Sequence, residues 1–136
     1  MGYAQVANEY RKQAVNGASP LQLVIMLYDG ALRFMEAGKH AIVNRDLQRQ
    51  NDNLQRAQRI VLELLACLDM DKGGEIAKNL FAIYTYVVNE LVEANVNDDA
   101  AAVDRCRKIF SDLRASWVQI EQQVTPTDAE YTPLAA

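Results

Sequence analysis

The chain has 136 residues, half of them apolar, with three prolines, six glycines and a formal charge of −4. That is one domain's length with enough apolar residues for a core, so a disordered protein is excluded. The acidic balance argues against a nucleic-acid partner, and Pro20 is the only proline before residue 126, as suits a helical protein.

Residues 1–18 carry Tyr3, Val6, Tyr10 and Val15 among polar residues, and Asn16-Gly17 breaks any helix before Ser19. An N-terminal arm, loose or docked as a short helix, is expected there. The first long helix is expected over Pro20–Val43. Ser19 can cap it, Pro20 suits its first turn, and Gln22 stands where a capping box needs it. Its polar stripe is narrow: Gln22, Asp29, Arg33, Glu36 and His40. One apolar row is Leu21, Val24, Tyr28, Leu32 and Met35; a second is Leu23, Leu27, Ala31, Phe34 and Gly38. A surface helix of a bundle shows one such stripe. Two stripes mean a central helix or one partly covered by another chain. Gly30 and Gly38 fall in mid-helix, at a cost of about 1 kcal/mol each relative to Ala. Close approach of another backbone is the preferred explanation, and a smooth patch on a partner's track is the other.

A second helix is expected over Leu47–Leu68, capped by Asp46, with a core row of Leu47, Leu54, Ala57, Val61, Leu64 and Leu68. Arg45, Arg49, Arg56 and Arg59 line one of its faces, interrupted by Asp52, and read as a solvated face. A third helix is expected over Glu75–Ala94, opened by Gly73-Gly74. Its rows are Ile76, Leu80, Ile83, Val87, Leu91 and Ala77, Phe81, Tyr84, Val88, Val92. Tyr86 points elsewhere, because residues two apart lie about 200° apart on a helix. A bundle helix needs only about three core positions in seven. The extra residues either pack inside the domain or floor a groove for a partner helix. A fourth helix, about Asp99–Gln122, is capped by Asn97 or Asp98. Its core row of Val103, Cys106, Phe110, Leu113, Trp117 and Ile120 alternates three and four apart. Short connections make neighbours antiparallel. The expected fold is all-α: an antiparallel four-helix bundle over 19–123, with a mobile arm over 1–18. Residues 124–136, with two prolines and no periodicity, are expected to be a flexible, disordered tail.

Chemistry is poorly represented. The single histidine leaves no Glu-x-x-His pairs for a di-iron bundle. Asp69-Met70-Asp71-Lys72-Gly73-Gly74 begins like a calcium loop, but Gly73 and Leu80 stand where the loop needs acidic residues. A polar turn is the preferred reading. Cys67 and Cys106 have neither metal nor redox spacing, and buried, reduced, structural thiols are expected. His40 has no phosphotransfer surroundings, and a histidine in a last turn is favoured by the helix dipole alone. No catalytic residue, metal or cofactor is expected. No apolar signal core and no run of about 18 apolar residues occurs, so neither an export signal nor a membrane span is expected, and the cytoplasm is the expected compartment.

From about Tyr10 to Trp117 the chain resembles the flagellin-specific export chaperones, the FliS family. The resemblance rests on Ala18-Ser19-Pro20, Leu23, Leu27-Tyr28-Asp29-Gly30-Ala31-Leu32 and Phe34. A second part is Asn79-Leu80, Tyr84, Tyr86, Leu91-Val92-Glu93-Ala94-Asn95 and Asn97-Asp98. Leu113-Arg114 and Trp117 match the family's ending, and Tyr10, Val15, Asn16 and Ala18 its arm. The resemblance implies a cytoplasmic chaperone, not an enzyme. It would bind the C-terminal helical segment of flagellin, prevent premature polymerisation and deliver its client to the flagellar type III export gate. It would use neither ATP nor a cofactor. The candidate partner-binding residues are Tyr10, Leu23, Leu27, Tyr28, Gly30, Phe81, Tyr84 and Val88. In the free protein the arm is expected to fold over part of the groove, with Tyr10 as the plug; Tyr3, seven residues earlier, is the other candidate arm tyrosine. The competing readings are a helical adaptor for another partner, such as an anti-sigma factor, and a phosphotransfer module built on His40.

Overall fold

The computed structural model describes residues 19–123; the expected arm and tail lie outside them. Four helices follow one another: α1 (Pro20–Val43), α2 (Leu47–Ala66), α3 (Met70–Asn97) and α4 (Ala100–Gln123). No strand occurs among the described residues. Each helix packs on its neighbours in sequence, and α4 closes the ring against α1. This is the antiparallel four-helix bundle that short connections dictate.

The ends of α1 follow its sequence. Ser19 Oγ accepts from the Gln22 amide at 3.1 Å, and Gln22 Oε1 accepts from the Ser19 amide at 2.9 Å, a complete capping box. After Val43 the chain turns through Arg45, at φ 56°. Asp46 then caps α2 by accepting from the Arg49 amide at 3.1 Å. Arg45 therefore belongs to the turn and not to a basic face of α2. Arg49 and Arg56 pair with Asp46 and Asp52 at 3.5 and 3.3 Å, which keeps that face locally balanced.

Other boundaries depart from expectation, and α2 ends at Ala66 rather than Leu68. The third helix begins one turn early, at Met70. Asp69 caps it by accepting from the Asp71 and Lys72 amides at 3.1 and 2.9 Å. Gly74, at φ 54° and ψ −130°, breaks the helix, and regular α-helix resumes after it. Only glycine adopts that backbone at little cost. Asp69, the first residue of the apparent calcium loop, is thus spent on a helix cap. At the other end α3 runs on to Asn97, and Asp98 takes the left-handed conformation of a helix stop. The cap of α4 is Asp99, which accepts from the Ala102 amide at 3.1 Å, rather than Asn97 or Asp98.

The α1–α4 seam has a regular register. Asp29 pairs with Arg114, Glu36 with Arg107 at 3.5 Å, and Lys39 with Asp104 at 3.0 Å. Each step up α1 is matched by an equal step down α4, as antiparallel helices in coiled-coil-like contact require. Inside, Tyr28, Met35, Leu54, Ile60, Leu64, Tyr84, Leu91 and Phe110 have almost no exposed surface. Leu47, the first residue of α2, is exposed instead of joining the core row of that helix. Cys106 is buried as expected, and burial pushes its thiol up to about 12. Cys67 is exposed, because it is the residue that ends α2 and not a core position.

Candidate partner-binding site

The two apolar rows of α3 divide between core and surface in a way that cuts across both. Ala77, Leu80, Tyr84, Val87, Leu91 and Ala94 face the interior. Phe81 remains 45% exposed, Val92 42% and Val96 74%, with Val88 half-buried between them. Phe81, Val88, Val92 and Val96 are spaced seven, four and four apart, so they form one strip along the helix.

Neighbouring contacts say which flank of α3 this is. Asn95, on the same side, donates to Asn51 of α2 at 2.9 Å and accepts from buried Gln50 at 3.2 Å. Glu90, on the other flank, meets Arg105 of α4 at 3.4 Å. The strip therefore borders α2. Eleven residues make about three helical turns. Counting eleven on from Asn51 and eleven back from Asn95 puts Leu62 level with Tyr84, on the same flank of α2 as Asn51. Leu62 is 40% exposed. The outer edge of the α2–α3 seam thus carries Leu62, Phe81, Val88, Val92 and Val96, and a polar end at Asn51 and Asn95. The outer edge of the α1–α4 seam carries three ion pairs instead. The α1–α4 edge carries charge pairs and the α2–α3 edge exposed apolar side chains, while Ile76 and Tyr86 of α3 are exposed off that edge.

The candidate residues fall into three groups. Phe81 and Val88 lie together on the α2–α3 edge. Leu27 and Gly30 are buried on α1 and Leu23 is half-buried there, away from that strip. Tyr28 and Tyr84 have no exposed surface at all. As direct contacts of a partner these two tyrosines are corrected: their rings point inward at the bundle's centre. Their hydroxyls hydrogen-bond to each other at 2.6 Å. Tyr28 stacks on Phe110 with ring centroids 4.7 Å apart, and its ring centroid stands 6.4 Å from that of Trp117. Burial raises the pKa of both phenols, so each stays protonated and neither offers acid–base chemistry. Tyr10 lies outside the described residues.

Leu62, Val92 and Val96 join the strip without having been singled out. Val92 stood in the second apolar row of α3, so the signal was there. Val96 fell past the expected end of the helix. Leu62 belongs to no apolar row of α2 and is placed only by its level against α3. Elsewhere, His40 is exposed in the last turn of α1. Among the described residues no group of acidic, histidine or cysteine side chains could hold a metal, and no helix is long and apolar enough to cross a membrane. The mid-helix glycine question is answered at Gly38, where the Leu54 side chain approaches so closely that a Cβ would meet its Cδ2 at 2.5 Å. The nearest atoms belong to the Leu54 side chain, and the Leu54 backbone nitrogen follows at 3.6 Å, so the neighbouring backbone also comes close, as expected.

Comparison with known proteins gives one consistent result. The family model described as "Flagellar protein FliS" matches residues 3–124. The flagellar secretion chaperone FliS of Salmonella typhimurium is 36% identical over 124 residues, 90% of each chain. Its namesake in Bacillus subtilis is 35% identical over 113 residues, covering 83% of this chain and 84% of that protein. The Vibrio cholerae protein of the same name is 34% identical over 115 residues, covering 82% and 85%. With the family model matched over nearly its whole length, the chain belongs to the FliS family of flagellar proteins.

Proposed function

We propose that this protein is a cytoplasmic export chaperone. It binds the C-terminal helical segment of flagellin, keeps that segment from polymerising early, and aids its delivery to the flagellar type III export apparatus. The relatives' name, flagellar secretion chaperone, supports the export role. The observation that carries the binding mode is the apolar strip on the α2–α3 edge.

A flagellin segment that assembles through helices needs a helical, apolar substitute for its neighbours. The strip from Phe81 to Val96 is about 22 Å long at 1.5 Å per residue, or four turns of a partner helix. An amphipathic helix laid along it reads the groove at i, i+3/i+4 and i+7, as helix-in-groove recognition does. Asn51 and Asn95 at one end supply polar groups that fix register, while the exposed apolar side chains supply affinity. Burying that surface takes no nucleotide and no cofactor, since the hydrophobic effect drives it. Tyr10 of the arm is proposed to cover part of the groove between clients and to touch flagellin when it arrives, because a tyrosine combines a large apolar ring with a hydroxyl that tolerates the wet rim.

The test is direct mixing. Purified protein and a flagellin C-terminal fragment should elute together as a soluble one-to-one complex. Absence of any elution shift, and of any heat on calorimetric titration at micromolar concentration, rejects the reading. Binding of an anti-sigma factor with no flagellin binding would favour the adaptor alternative.

A further inference from the structure

We infer that the Tyr28–Tyr84 hydroxyl pair is a positioning device, setting the rotation of α3 and with it the apolar strip that a partner meets. The inference rests on the α2–α3 edge being the binding surface. Helices α1 and α3 are diagonal in the bundle, and their backbones make no close approach among the described residues. The two tyrosines span that diagonal with a 2.6 Å hydrogen bond at the centre of the core. Trp117 of α4 lies beside Tyr28 with ring centroids 6.4 Å apart, so α4 packs on the same pair. Phe110 packs against both rings, its centroid 4.7 Å from that of Tyr28 and 5.9 Å from that of Tyr84.

Apolar contacts alone leave a bundle helix free to rotate by some degrees, because they have no direction. A buried hydroxyl pair has one. Its hydrogen bond is short and satisfied only over a narrow range of geometry, and an unpaired phenol in the core is costly. Phe81 stands three residues before Tyr84 and Val88 four after it, one helical turn either way. Any rotation that broke the pair would turn both side chains toward or away from α2. The hydroxyls are not needed for packing, since two phenylalanines would fill the same space without burying a polar atom. Their use is direction.

The double variant Tyr28→Phe/Tyr84→Phe separates direction from stability. Its thermal midpoint should stay close to that of the unaltered protein, because both hydroxyls leave together and neither is left unpaired. Amide exchange in the free protein should then rise about tenfold across Phe81–Val88 and little in α1 or α2, as a locally loosened helix requires. Affinity for the flagellin C-terminal fragment should fall about tenfold. A Val61→Ala core variant serves as the reference for lost stability without lost direction, and its affinity should hold. Tyr84→Phe alone, which breaks the pair while leaving the Tyr28 hydroxyl in place, gives the same comparison if the double variant folds poorly. Unchanged exchange in α3, or a uniform rise over all four helices, overturns the inference, as does unchanged affinity. If the unaltered protein itself fails to bind the fragment, the flagellin reading falls and the exchange pattern alone decides the positioning role.

Discussion

Gly38 of α1 and Leu54 of α2 share one space: a Cβ on the glycine would sit 2.5 Å from Leu54 Cδ2 and 2.9 Å from Cγ. Leu54 is fully buried, so it has nowhere to move. A glycine in mid-helix is the consequence, and the helix accepts its entropic cost in exchange for a close crossing.

Gly38→Ala should therefore destabilise the bundle. Overpacking costs about 1–3 kcal/mol, offset by about 1 kcal/mol of better helix propensity. The thermal midpoint should drop by about 5 °C. In a Leu54→Ala background the same change should be neutral or favourable, because the new methyl fills the space vacated. Additive losses in a thermal denaturation series would contradict this contact.

The sequence made the fold plain because its punctuation is local. Ser19, Pro20 and Gln22 mark the start of α1, and the structure begins the helix there with both capping bonds made. The errors also have local causes. Gly73-Gly74 reads as a loop, yet Asp69 caps a turn that passes through Gly73 before Gly74 breaks it. Asn97, Asp98 and Asp99 are all good caps by type, and only the chain's exit angle selects Asp99. The candidate binding surface was less legible. Periodicity gives each side chain an angle on its helix but not the neighbour at that angle. Tyr84 and Phe81 belong to one row, and α2 and α4 decide that one is core and the other surface. Leu62 shows the same limit from the partner side.

Phe81 and Phe110 should behave oppositely. Phe81→Ala removes a ring that is nearly half exposed, so stability should change by less than about 1 kcal/mol. Affinity for the flagellin fragment should fall by about 1–3 kcal/mol. Phe110 is fully buried among the tyrosines, and Phe110→Ala should cost about 3–5 kcal/mol of stability. Chemical denaturation alongside calorimetric titration reads both. A Phe81→Ala variant with full affinity would move the binding surface elsewhere.

Asp104 gives a pH signature. Hydrogen bonds from Lys39 and Arg107, each at 3.0 Å, hold its carboxyl below the ordinary carboxylate range. A pKa lower in the folded state than in the unfolded one stabilises above the unfolded value, about 4. That contribution is lost as pH falls through the folded value. Asp104→Asn should thus lower the thermal midpoint slightly at pH 7, and the gap should close in acid. The pair is exposed, so molar salt should also close it. A gap that widens in acid would contradict the assignment.

His40 should be dispensable. It is exposed in the last turn of α1, where a histidine is favoured by the helix dipole alone. His40→Gln should leave flagellin affinity, secretion and motility nearly unchanged. A large loss of motility at normal protein level would revive a phosphotransfer role.

The most direct measurement is combined methyl and backbone-amide NMR of the protein titrated with the flagellin C-terminal segment. The expected result is saturable shifts of the Leu62, Val88, Val92 and Val96 methyls, with little change along the Asp29–Arg114, Glu36–Arg107 and Lys39–Asp104 seam. Shifts confined to the α1–α4 side, with those four residues unmoved, would contradict the α2–α3 edge as the binding surface.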